Sequence, residues 1–162
     1  MQVPNQPAPL SPGVRFPPPL CFAVPWLIGF GFGQRMPLPL VPAVLQMGER
    51  LTGVLLICTA LPVLGWAMYR FVRAGTSILP HRPADAFVVG GPYRVSRNPM
   101  YVALATLHLG SALMLDSLWL GAGVPIGMML IQRLVIRREE RYLTHRFGQA
   151  YLDYTLRVRR WL

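Results

Sequence analysis

Two polar clusters in an otherwise apolar chain have the residue types and spacing to hold a charged small molecule. One is Gly90-Gly91-Pro92-Tyr93-Arg94-Val95-Ser96-Arg97-Asn98-Pro99-Met100-Tyr101; the other is the adjacent pair Glu139-Glu140, two of six acidic residues in the chain. Asn98 followed by Pro99 predicts a helix start. Asn caps free N–H groups, and Pro fits the first helical position, where no N–H is needed. Arg97 then shares the positive end of a helix with those N–H groups, which suits a small anion. The competing reading is an arginine that snorkels at the end of a membrane helix. Gly90-Gly91 reads as a turn and, more weakly, as a phosphate or nucleotide loop.

The paired glutamates point two carboxylates about 100° apart around a helix axis. One pairs with Arg97, Arg137 or Arg141 while the other faces a cavity, or both belong to a surface ion-pair network. Glu140 shares a helical face with Ile136, Leu143 and Phe147. That face predicts a cover over a cavity, with Glu140 inward and Glu139 turned toward the surface. His108 sits in the middle of an apolar run. It is either a functional intramembrane residue or a neutral imidazole bonded to a backbone carbonyl. Tyr93, Tyr101, Tyr151 and Tyr154 either form an interfacial belt or line a site. Cys21 and Cys58 have no metal-ligand spacing and make no disulfide framework, and no metal site is expected.

The surrounding elements must place these clusters at a membrane surface. Of the 162 residues, 53% are hydrophobic, too many for an ordinary soluble domain. Charge is absent from Phe16 to Gln34, Leu51 to Tyr69, Pro99 to Leu115 and Ser117 to Gln132. A spanning helix needs about 20 apolar residues, with a range of roughly 17 to 25. The pattern therefore predicts an all-α, polytopic integral membrane protein of about four transmembrane helices. An uncharged, proline-containing stretch from Met36 to Gly48 reads as an interfacial or re-entrant link. Only Leu115-Asp116-Ser117 joins the third and fourth windows, so they form an antiparallel hairpin. Gly121, Gly123 and Gly127 predict close helix approach.

All 16 basic residues are arginine, and the net charge is +10. No basic-aromatic groove suited to single-stranded nucleic acid is present, so no nucleic-acid partner is expected. Five arginines fall between Arg70 and Arg97 and eight from Arg133 onward. The positive-inside rule places both groups, and both termini, in the cytosol. After Arg133 the pattern becomes amphipathic, which predicts a C-terminal cytosolic helical cap with a stop at Gly148. The proline-rich residues 1–15 read as a disordered lead. Residues 16–162 read as one domain: an N-terminal helical pair over 16–74 and a ligand-binding half over 75–162.

The ordered set of a Gly-x-Tyr turn, an Arg-x-Pro-x-Tyr helix start, a hairpin, then Glu-Glu, Phe-Gly and Tyr-x-x-Tyr resembles the isoprenylcysteine carboxyl methyltransferase and phospholipid methyltransferase superfamily. The resemblance covers roughly Gly75 to Leu162. It implies S-adenosylmethionine as cofactor, bound at the cytosolic face, and a hydrophobic small-molecule or lipid acceptor entering from the bilayer. By position it implies a cofactor site of Gly90, Gly91, Tyr93, Arg97, Asn98, Tyr101, Glu139 and Glu140; the inward helical face of Glu140 and the helix start at Arg97 make these two the expected catalytic residues. The expected location is a bacterial inner membrane. The superfamily often has Arg-His-Pro where this chain has Arg97-Asn98-Pro99, and Asn cannot take a proton. Two alternatives remain: a sterol-reductase-like enzyme using NADPH, with Arg82 and Arg94 on the extra phosphate, and a non-catalytic membrane scaffold.

The arginine sorting has a direct test. Asp116→Cys and Asp153→Cys, each in a background without Cys21 and Cys58, should label from opposite sides of the membrane. Labelling of both from one side of intact cells would contradict the hairpin topology.

Overall fold

A computed structural model describes residues 11–14, 16–77 and 86–162. The fold is all-helical: α1 (Leu20–Arg35), α2 (Gln46–Arg73), α3 (Pro99–Met114), α4 (Leu118–Ile131), α5 (Arg137–Phe147) and α6 (Gln149–Arg157). Two helical stretches, Ala43–Arg73 and Leu118–Phe147, are long and apolar enough to cross a membrane. α1 and α3 have 16 residues each, about 24 Å of helix at 1.5 Å per residue. Pro17, Pro18 and Pro19 start α1 by offering carbonyls to Leu20, Cys21 and Phe22 while needing no donors of their own.

α2 packs along α3, α1 along α4, and α3 against α4. Missing side chains make these crossings close. A Cβ on Gly53 would lie 2.6 Å from the Gly110 carbonyl oxygen, and one on Gly29 would lie 2.8 Å from the Trp119 carbonyl oxygen. Gly123 faces the His108 ring, and Gly127 faces Phe22. Contacts of this kind let backbones approach where no water is available to drive association.

One end of the bundle is fixed by the link after α1 and the α3–α4 turn. Asp116 adopts φ +45, a left-handed conformation that Asp tolerates. Its Oδ1 accepts the Leu40 N–H at 2.7 Å, and its Oδ2 accepts Gln46 Nε2 at 2.9 Å. The Leu38 carbonyl accepts the Leu118 N–H at 2.9 Å. The Met36–Gly48 link is therefore pinned to the turn, and the opposite end carries the polar clusters.

Two local expectations change. Asn98 makes no side-chain cap on α3; its Nδ2 donates to the Arg160 carbonyl at 2.9 Å instead. The lead is partly docked: Val14 is buried, and the Gly13 carbonyl accepts Arg138 Nη1 at 2.9 Å. Residues 1–10 and 15 of that lead lie outside the described residues.

Within α2, two glycines should respond with opposite sign. Gly53→Ala forces its methyl into the α3 backbone and should lower stability by about 1–3 kcal/mol. A Cβ at Gly65 meets nothing within 4 Å, so Gly65→Ala should raise stability by about 0.5–1 kcal/mol. Thermal unfolding in detergent separates the two.

Candidate functional site

The loop before α3 is held by two glycines. A Cβ on Gly90 would run into the Arg70 guanidinium, and one on Gly91, at φ +66, would lie 3.2 Å from the Trp66 ring. The glycines let the loop lie flat on α2. From there a short 3-10 turn, Gly91–Arg94, turns Tyr93 inward. The Tyr93 ring meets Phe71 at 5.5 Å, and its carbonyl accepts the Tyr154 hydroxyl at 2.7 Å.

A π turn, Gln132–Ile136, joins α4 to α5. Such a wide turn shifts the helical register of the residues after it. Val135 and Ile136 are fully buried in a cluster with Tyr101, and the two glutamates lie one turn further along the chain. Glu139 accepts the Tyr101 hydroxyl at 2.9 and 3.2 Å on its two oxygens. Glu140 lies 3.1 Å from Arg97 Nη1 and is gripped by Arg160, Nε at 3.0 Å and Nη2 at 2.7 Å. The expected orientation of Glu139 is thus corrected. It does not turn to surface arginines, because the π turn and the Tyr101 hydroxyl bring it inward beside Glu140.

Residues after α6 close the arrangement. Ser96 and Arg159 form an isolated parallel bridge, with the Arg97 N–H donating to the Arg159 carbonyl at 2.9 Å. The Arg160 carbonyl accepts both Ser96 Oγ and Asn98 Nδ2, and Trp161 Nε1 donates to Gln132 Oε1 at 3.3 Å. Gly148, at φ +55, stops α5 and lets α6 fold back, so the predicted stop agrees with the fold.

A cavity opens among these groups. Its walls include Phe71, Phe87, Tyr93, Arg97, Asn98, Tyr101, Glu139, Glu140, Leu143, Tyr151 and Tyr154. Phe87 lies 5.0 Å from Phe147 and edge-on to Tyr151, which makes one side aromatic. Burial raises the Tyr151 hydroxyl to about 12; the Glu140 carboxylate adds to the rise and Arg97 opposes it. Burial likewise raises Tyr93 and Tyr154. These phenols stay neutral. Tyr93 Oη and Arg97 Nε are buried yet have no hydrogen-bond partner among the described residues, and buried polar atoms normally have one.

Six of the eight residues expected at the cofactor site share one cavity, Tyr93, Arg97, Asn98, Tyr101, Glu139 and Glu140, and Tyr151 and Tyr154 line it with them. Gly90 and Gly91 do not line it; they pack on α2 instead. Arg94 is exposed and faces a different groove, and Arg82 lies outside the described residues. His108 is remote, buried between α1, α3 and α4, with Phe22 at 6.4 Å. Arg160 was legible only as one of several interfacial arginines, because nothing local marks its reach to Glu140. No group of metal ligands occurs among the described residues.

The model of the phospholipid methyltransferase family matches residues 49–150, from the first turns of α2 into α6. Over 63 residues the chain is 40% identical to an uncharacterized protein of Haemophilus influenzae (strain ATCC 51907 / DSM 11121 / KW20 / Rd); the match covers 39% of this chain and 100% of that one. No solved structure matches the chain.

Removing the Tyr154 hydroxyl leaves the Tyr93 carbonyl buried without its donor. Tyr154→Phe should therefore cost about 1–3 kcal/mol. The exposed Tyr69→Phe should cost nothing measurable in the same unfolding assay.

Proposed function

Because this chain belongs to the phospholipid methyltransferase family, a family of membrane methyltransferases, we propose that it transfers a methyl group from S-adenosylmethionine to a hydrophobic, membrane-resident acceptor. The observation that carries this reading is the cavity at the start of α3. Its lining from Phe71 to Leu143 falls within the matched region, with Tyr151 and Tyr154 just beyond it, and it combines a guanidinium, two carboxylates and an aromatic wall. The two buried atoms without partners among the described residues, Tyr93 Oη and Arg97 Nε, are what a polar ligand would satisfy. The donor set fits a molecule with a carboxylate, an amine, ribose hydroxyls and an aromatic base.

When bound, S-adenosylmethionine supplies a methyl group already activated on a sulfonium. Arg97, whose Nε has no partner among the described residues, would hold a carboxylate. Tyr93, Tyr151 and Tyr154 would pack against the base. Glu140 is neutralised by Arg97 and Arg160, so we assign it to holding Arg97 in place. Glu139 has only a neutral phenol on it and lines the cavity with no ion-pair partner among the described residues. It is the better partner for a cationic or amine group. Leu143, Phe87 and Phe147 would keep water away from the reacting atoms. No nucleophilic side chain is needed, since methyl transfer depends on alignment and a dry site.

In this reading residues 16–162 form one membrane domain. α1 to α4 cross the bilayer, both termini are cytosolic, and α5 with α6 caps the cytosolic mouth. The concentration of arginine at the cavity end supports that orientation.

Titration of the purified protein with S-adenosylmethionine and with NADPH tests the cofactor. S-adenosylmethionine should raise the melting temperature and NADPH should not. Arg97→Ala should weaken binding by about 1.5–3 kcal/mol, the worth of a hydrogen bond to a charged group; unchanged affinity in a folded variant leaves Arg97 only its structural pairing with Glu140. Glu139→Gln should lower turnover at least about tenfold, since about 1.4 kcal/mol of barrier corresponds to that factor. Glu140→Gln should chiefly weaken cofactor binding. Normal turnover in Glu139→Gln would overturn its assignment.

A further inference from the structure

A second groove lies on the other side of the loop that precedes α3. Its charged lining is Arg70 from the end of α2, Arg94 from the 3-10 turn, and Asp153 and Arg157 from α6. Phe87, Val88 and Tyr154 wall both this groove and the cavity, so the two sites adjoin without sharing a charged residue.

Among the described residues its lining carries three arginines against one carboxylate, Asp153. The ion pairs among the described residues both involve Glu140. Asp153 accepts Gln149 Nε2 at 2.8 Å and pairs with no arginine. Arg157 Nε reaches only the Asp153 backbone carbonyl, at 3.3 Å. Arg70 is built into the groove: its guanidinium lies against Gly90, where a Cβ would collide with it. Arg70 Nε is shielded from solvent and has no partner among the described residues. A shielded donor of this kind calls for an acceptor from outside the protein.

The form of the groove selects the acceptor. Guanidiniums from three elements suit a phosphate, whose several oxygens accept from different directions. Apolar Val88, Val89 and Val158 flank them, and Val89 is exposed. Guanidiniums beside an apolar wall, at the end of a helix long and apolar enough to cross a membrane, match a lipid headgroup better than a free ion. We infer that this groove binds the phosphate of an anionic membrane lipid, at a site separate from the methyl-transfer cavity.

Native mass spectrometry of the full chain in detergent, without S-adenosylmethionine, tests this independently of the catalytic reading. The probes are dioleoylphosphatidylglycerol, dioleoylphosphatidylcholine and inorganic phosphate. The wild-type protein should retain phosphatidylglycerol in preference to phosphatidylcholine. Arg70→Gln and Arg94→Gln should each weaken retention about fivefold, the worth of one arginine near an anionic membrane surface. Arg94 is exposed, so its variant keeps the fold even if Arg70→Gln does not. Arg50→Gln, an exposed arginine at the opposite end of α2, controls for net charge and should change nothing. Equal retention by wild type and a folded Arg94→Gln protein would overturn the site. Inorganic phosphate that displaces the lipid at equal concentration would overturn its assignment to a lipid.

Discussion

The Glu140 carboxylate lies between two guanidiniums, Arg97 at 3.1 Å and Arg160 at 2.7 Å. Each of the three residues comes from a different segment: the start of α3, α5, and the residues after α6. The side chains of Glu140 and Arg97 are each only 16% exposed. A half-buried carboxylate in this position is stable only while its cations remain, because removing one partner leaves a desolvated charge. The cluster carries one positive charge more than it neutralises, and of its two arginines Arg97 lines the cavity. The backbone bonds of Ser96, Arg97 and Asn98 to Arg159 and Arg160 result from the same docking. Without the clasp, the C-terminal residues have little apolar surface to hold them: Val158 and Trp161 pack, but Leu162 is exposed.

The clasp in turn requires that α3 and α4 be fixed relative to α1 and α2. Glycines do this along the helices, and Asp116 does it at the far end. Gly53 against Gly110, Gly29 against Trp119 and Gly127 against Phe22 leave no room for a side chain. A close-packed interior transmits such constraints over its length. The π turn then supplies the one adjustment an unbroken α-helix would not make, setting Glu139 on Tyr101 and Glu140 on the arginines.

Much of this was legible in the residues. Pro99 opens α3 and Gly148 stops α5, because each residue's backbone restriction or freedom acts locally. Gly123 and Gly127 of α4 meet neighbouring helices as their size predicts, whereas Gly121 faces Leu40 of the link. Tyr93, Arg97, Tyr101 and the glutamates converge because they flank elements whose order the sequence already shows. The features that were not legible depend on distant partners. Asn98 looks like a cap, yet its amide finds a carbonyl 62 positions away. Gly90 and Gly91 look like a ligand loop, yet they make room for Arg70 and Trp66 on another helix. The inward turn of Glu139 comes from a π turn that no periodicity announces, and Arg160 is one arginine among many until its partner is known.

The central claim is methyl transfer to a membrane acceptor, and the fate of the methyl group tests it most directly. Purified protein incubated with S-adenosylmethionine labelled in the methyl group, together with a membrane lipid extract, should move label into the organic phase with time and with protein amount, and heat-denatured protein should move none. Cofactor that binds but leaves every count in the aqueous phase would contradict a membrane-resident acceptor. Absence of both binding and transfer would contradict the methyltransferase account of the cavity.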